Sequence, residues 1–347
     1  MVCTNTICYT APNRGGRKIE LDFTEKPRSG GEADVYKTNF KGYVAKIYKT
    51  NPLDIEKIEK LKLMVANPPK DPTLTQNHVS IAWIKDLLYD SSGTCLGFLM
   101  PIIDEAEEIF NVYNPSTRKS KAPGFNWYYL HATALNTALI FDEIHAKNYV
   151  IGDVNQKNIL VKRNGMVSII DTDSFQVKDP RTQKIYRCCC STPGFAPPEL
   201  IGKELRKVTQ DVYHDRFRLA VIIYLLLTGS HPFHGRWTGN GSEPTEDEKI
   251  KNGYWVGGQN SPIEPSPHTI PLTVFHLKIK QLFIQCFNDG HTDPSKRPSA
   301  KDWRDVLEIA VKQLHKCSIN SNHFYNKTYG HCYWCERSKN LGVDIFG

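Results

Sequence analysis

The sequence predicts an α+β protein of two lobes, strand-rich in front and helical behind, with a small metal-binding tail. Three observations carry this. Short apolar and β-branched runs dominate the first part of the chain, helical periodicities dominate the rest, and cysteines and histidines gather at the C-terminus. Strands and helices are segregated rather than alternating, which argues against a parallel βαβ layout. No G-x-x-x-x-G-K-[ST] run is present either.

The 347 residues suit one two-lobed domain plus an appendage. The expected divisions are an N-terminal arm (1–16), a front lobe (17–103), a back lobe (104–315) and a tail (316–347). Apolar residues make up 40% and charged residues 23%, as in ordinary globular proteins. The net charge of +7 comes from interspersed residues without a Lys/Arg block, so no nucleic-acid partner is expected. The longest apolar run, Leu219–Leu227, falls far short of the about 20 residues that span a bilayer. The start, MVCTNTICYT, lacks the charged-then-apolar order of a signal peptide. These features imply a cytoplasmic protein without a membrane partner. In a reducing compartment, Cys188, Cys189 and Cys190 read as free thiols, and Cys332 with Cys335 as metal ligands.

Residues 1–16 show no periodicity and read as a loosely docked arm. Tyr43–Ile47, Ser80–Leu88 and Cys95–Ile103 read as strands. A helix over Leu53–Val65 interrupts them, with Ile58, Leu61, Met64 and Val65 at helical spacing and Pro68-Pro69 beyond its end. Trp127–Lys147 carries a wide apolar stripe through Leu130, Ala134, Ala138 and Phe141. Asp215–Leu227 is apolar nearly all round and predicts a buried central helix; Lys301–Leu314 is amphipathic. Segment 235–271, rich in Gly, Pro, Ser and Asn, predicts a long surface insertion.

The segment IGDVNQKN (151–158) places a carboxylate and an amide five residues apart between a helix and a strand. Asp153 suits acceptance of a proton from an attacking hydroxyl. Asn158 suits a divalent cation. Asp171, thirteen residues beyond Asn158, supplies a charged oxygen ligand of the kind Mg²⁺ prefers. In SGGEADVYK (29–37), Gly30 and Gly31 allow close backbone approach to phosphate, and Val35 can cover a base.

The D-x-x-x-x-N loop followed by Asp171 resembles the protein-kinase family in order and spacing. The resemblance covers residues 17–315. It implies a bilobal fold that binds ATP with Mg²⁺ or Mn²⁺ and acts on a protein substrate. Lys46 in YVAKIY resembles the lysine that pairs nucleotide phosphates, with Glu59 expected as its helix carboxylate and Glu56 as the alternative. TPGFAPPEL (192–200) resembles the end of the activation segment, with Glu199 expected to pair with Arg297. Asp215 resembles the aspartate that braces the catalytic loop. Met100 would guard the base pocket. Pro101 then offers a carbonyl, and Ile103 the N–H donor to the base.

Three positions depart from the family pattern. Ile151-Gly152 stands where His-Arg is usual, so the resemblance implies activity independent of loop phosphorylation. Asn155 stands where serine/threonine kinases carry Lys. Asp171-Thr172-Asp173 replaces Asp-Phe-Gly, and Asp173 either joins the metal site or caps a turn.

In the tail, Cys317, His323, Cys332 and Cys335 offer four ligands for a structural Zn²⁺, with His331 as an alternative. The combination of GGE-A-VY, D-x-D-S-F and CYWCER resembles one bacterial group of soluble kinases. These are encoded beside a metal-dependent protein phosphatase and a von Willebrand A-type protein in tellurite-resistance and stress clusters. The resemblance implies such partners and a serine/threonine kinase in stress signalling. The rival reading is a nucleotide-binding pseudokinase scaffold for the phosphatase; the three departures argue for it, and the retained Lys46, Asp153, Asn158 and Asp171 argue against it.

Overall fold

A computed structural model describes residues 7–347. The front lobe is a seven-stranded antiparallel sheet of β1 (Ile7–Thr10), β2 (Lys18–Glu20), β3 (Arg28–Ser29), β4 (Ala33–Lys37), β5 (Tyr43–Tyr48), β6 (Asp86–Tyr89) and β7 (Cys95–Pro101). Their spatial order is β2-β1-β6-β7-β5-β4-β3. Beyond β2, Asp22 N donates to Lys37 O (2.9 Å) and Asn39 N to Glu20 O (3.1 Å), so the sheet curls back on itself. Strand alternation sends Cys8, Ile19, Tyr36, Ala45, Ile47, Leu88 and Leu99 into the curl as a small separate core. The same alternation turns Lys46 and Tyr48 of β5 to the opposite face, toward the back lobe.

Residues 7–10, expected within a loose arm, are instead a strand between β2 and β6. Their period-2 burial explains it: Cys8 and Thr10 point in, Ile7 and Tyr9 less so. Residues 1–6 of that arm lie outside the described residues. The strand expected at Ser80–Leu88 begins only at Asp86. Its first half leaves the sheet to meet the back lobe, where Ala82 N donates to Ile169 O (2.9 Å) and Ile169 N to Ser80 O (2.8 Å).

The first helix, Ile55–Ala66, is capped by the Asp54 side chain and ends just before Pro68-Pro69. In the back lobe, Trp127–Ala146 packs against both Val212–Thr228 and Ala300–Lys312. Val212–Thr228 is buried from Phe217 to Thr228, as an all-round apolar helix must be. Capping boxes at Asp211 and Ser299 start the latter two helices. Segment 235–271 is not wholly superficial. Its Trp255 is fully buried and donates from Nε1 to Asn288 Oδ1 (2.7 Å).

Arg297 and Glu199 form a bidentate pair at 2.7 and 2.8 Å. Arg297 also donates to Gly290 O (2.8 Å) and Tyr213 O (3.0 Å). The tail adds a strand pair, Leu314–Lys316 with Phe324–Asn326, and a helix, Tyr333–Leu341. Its Trp334 ring sits 5.0 Å from Trp127 and 4.7 Å from Phe346, and all three belong to the back-lobe core. Buried Arg118 donates to Ile345 O (2.9 Å) and ties the chain end to that lobe.

Candidate active site

The loop 151–158 is held from below by Asp215. This carboxylate is fully buried and accepts from Ile151 N (2.7 Å), Gly152 N (3.0 Å) and Arg218 (3.1 Å). His145 Nε2 lies 3.2 Å away. Burial opposes ionisation, but the His145 hydrogen bond and the Arg218 charge hold Asp215 below the usual aspartate range. Within the loop, Asn158 Nδ2 donates to Asp153 O (3.3 Å). Among the described residues nothing donates to Asn158 Oδ1, which leaves an oxygen for a cation. Asp153 Oδ1 accepts from Thr192 (2.9 Å) and Oδ2 from Asn155 (3.2 Å).

Gly152 adopts φ +73°, and a Cβ there would lie 2.6 Å from Cys188 Sγ. Left-handed backbone and the Cys188 thiol together account for glycine at this position. Burial keeps Cys188 protonated, its pKa pushed up to about 11.

Lys46 reaches both Asp171 Oδ1 and Asp173 Oδ1 at 2.6 Å. Burial alone would favour neutral Lys46, but the two carboxylates more than offset it and hold the ammonium above the usual lysine range. Asp171 has φ +61° and opens the short turn Thr172–Ser174. Ser174 N and Oγ both donate to its carbonyl, at 3.1 and 2.8 Å. Asp173 Oδ2 accepts from Tyr48 OH (2.6 Å). Asp173 is therefore an ion-pair partner of Lys46, rather than only a turn cap.

Glu59 does not meet Lys46. It faces solvent and accepts from Lys184 Nζ (2.9 Å) and Tyr186 OH (3.2 Å). Glu56 lies 3.7 Å from the same Lys184. The helix face that turns inward carries Lys60, Leu61 and Met64. Lys60 Nζ donates to Asp173 O (2.7 Å), and burial lowers its pKa against the opposing charge of Asp173.

A cleft of about 1190 Å³ separates the lobes. Gly30, Gly31, Val35, Lys46, Met100, Ile103, Asp153, Asn158 and Asp171 all line it; Glu59 does not. Gly30 and Gly31 cap the β3–β4 hairpin, where Gly30 N donates to Ala33 O (2.9 Å) and Lys49 grips Gly30 O (2.6 Å). Among the described residues the Ile103 N–H donates no hydrogen bond, so it is available to an acceptor in the cleft. Sequence reasoning missed Tyr48, Lys60 and Thr192. Lys60 was legible, because it falls on the same inward stripe as Leu61 and Met64. Thr192 was not, since only the fold returns it to Asp153.

In the tail, Cys317, His323, Cys332 and Cys335 converge. Cys317 Sγ lies 3.6 Å from Cys335 Sγ, and His323 Nδ1 lies 3.4 and 3.6 Å from the sulfurs of Cys335 and Cys332. His323 Nε2 faces Asp344 at 3.0 Å, which turns Nδ1 toward the thiols. His331 is not in the cluster; it pairs with Glu336 (2.9 Å).

Comparison with known proteins identifies the family of the two-lobed fold. The protein kinase domain family matches residues 74–307. The protein kinase YegI of Escherichia coli O157:H7 is 34% identical over 330 residues, covering 91% of this chain and 49% of that protein. YegI of E. coli K12 is 33% identical over the same length, with 91% and 48% covered. The serine/threonine-protein kinase kin-29 of Caenorhabditis briggsae is 29% identical over 130 residues, 35% of this chain and 14% of its own. The chain thus spans about half the length of the YegI proteins it matches. With its curled sheet, helical back lobe and the matched span, this chain belongs to the protein kinase domain family.

Proposed function

We propose that the chain transfers the γ-phosphoryl group of ATP to serine or threonine hydroxyls of a protein substrate. The observation that carries this reading is that Lys46 of the front lobe and Asp171, Asn158 and Asp153 of the back lobe line the same cleft, with Lys46 in contact with Asp171. Lys46 anchors phosphate oxygens beneath Gly30 and Gly31. Ile103 and the Pro101 carbonyl hold the base, with Val35 above it and Met100 behind it. Asp171 and Asn158 Oδ1 are hard oxygen donors that fit Mg²⁺, which would neutralise charge on the transferring group. Asp153 orients the attacking hydroxyl and takes its proton, displacing Thr192 from Oδ1. Positioning and charge neutralisation supply most of the rate.

The test is radiolabel transfer from ATP, followed by phosphoamino-acid analysis. Asp153→Ala and Asp171→Ala are each expected to slow transfer by roughly 100-fold or more. Equal transfer by both variants and the wild type would remove the assignment. Phosphotyrosine alone would overturn the serine/threonine part.

The tail cluster supports a structural Zn²⁺ site. Two thiolates on a tetrahedral Zn²⁺ stand about 3.8 Å apart, close to the spacing found here. Resemblance alone supports the phosphatase and von Willebrand A-type partners and a role in stress signalling. Among the described residues no helix is long and apolar enough to cross a membrane, and the thiol-rich chain suits the cytoplasm.

A further inference from the structure

A lysine that anchors phosphates needs an acid beside it, to hold its side chain extended across the cleft. In the family pattern that acid comes from the first helix. Here the helix presents the wrong charge. Its inward position is Lys60, 8% exposed, while Glu56 at the rim of the cleft and Glu59 outside it both turn to Lys184 rather than to Lys46. A second cation beside Lys46 would repel it rather than hold it.

Asp173 supplies the missing charge. Its side chain is 5% exposed, against 38% for Asp171. Every oxygen of Asp173 is taken by a donor from the front lobe. Lys46 Nζ holds Oδ1 (2.6 Å), Tyr48 OH holds Oδ2 (2.6 Å), and Lys60 Nζ holds the backbone carbonyl (2.7 Å). The turn that carries Asp173 is fixed in turn, since Thr172 Oγ1 donates to Ala82 O (3.1 Å).

We propose that Asp173 is the positioning residue for Lys46, replacing a helix glutamate, with Tyr48 and Lys60 locking it in place. The proposal rests on the reading of Lys46 as a phosphate anchor. It divides the work of the two aspartates: Asp171, at the open mouth beside Asn158, is left to the cation, and Asp173, shielded from solvent, keeps Lys46. Alignment of Lys46 then depends on the turn 172–174 and not on rotation of a helix to deliver a glutamate.

The experiment measures Kd for ATP·Mg²⁺ and kcat/KM for ATP on the full chain. Asp173→Asn is expected to weaken both by roughly 10–100-fold, the range for losing a charged, buried hydrogen bond. Tyr48→Phe, a milder variant that keeps the carboxylate, should fall between Asp173→Asn and wild type. Glu59→Gln and Glu56→Gln should stay within about twofold of wild type. Adding Asp173→Asn to Lys46→Met should cause little further loss, because a residue acting through Lys46 has nothing left to position. A merely structural role would instead give additive losses in that double variant, and would overturn the proposal. So would a Glu59→Gln loss equal to that of Asp173→Asn. Binding without turnover in the wild type would sink the transfer reading alone and leave Kd to decide on Asp173. Absence of nucleotide binding would sink both.

Discussion

Glu199→Ala is expected to lower the unfolding free energy of the back lobe by about 3–5 kcal/mol, the usual cost of stranding a buried charge. The reason lies in the asymmetry of the pair. Arg297 has no exposed side-chain surface, whereas the Glu199 side chain keeps 30% of its own. Without Glu199 the guanidinium retains two carbonyl partners, Gly290 and Tyr213, but no countercharge. Arg297→Ala removes the cation instead, takes one donor from each carbonyl and leaves Glu199 near His214 and solvent. It should cost a comparable amount by a different route. Replacing both with apolar residues, Glu199→Leu with Arg297→Met, should recover much of the loss, since neither charge is then stranded. Urea unfolding followed by tryptophan fluorescence checks this. An unchanged midpoint in either single variant would refute it.

The second large effect is expected at the tail. One equivalent of zinc should accompany the purified chain, and Cys335→Ser should abolish it. The loss should reach beyond the tail, because Trp334 and Phe346 are part of the back-lobe core. Undocking Trp334 from Trp127 should cost about 3–5 kcal/mol, as truncation of a buried aromatic does. Asp344→Asn should keep the ligands but weaken metal affinity by roughly 10–100-fold, because it orients His323. Metal analysis and a chelator titration read both outcomes. Full stability of the Cys335→Ser variant would separate the tail from the core.

The fold was legible because its periodicities are strong. An apolar run such as Leu219–Leu227 within a helix has few places to go but the centre of a lobe. The departures have local causes. Ser80–Leu88 has strand composition throughout, yet Ser80 and Ala82 pair their backbone with Ile169 in the other lobe, a bridge no local pattern announces. Cys8 and Thr10 alternate inward over only four residues, too few to stand out from an arm rich in turn formers. At the site, positions tied to a motif were readable one by one. The partner of Lys46 was not, because it depends on which face of a helix turns inward. Glu59 and Lys60 are neighbours in sequence, and a rotation of about 100° decides between an acid and a cation.

The close fit of Gly152 against Cys188 also limits how this chain can change. An arginine at position 152 would need a different backbone conformation, and its first side-chain carbon would collide with the thiol. Removing the thiol alone leaves a cavity with no new function. Each step taken singly is a loss, and a gain requires both together with a backbone shift. For a descendant of this sequence, the route to control through a phosphate-reading arginine crosses a fitness valley, which favours new regulation arising elsewhere on the molecule.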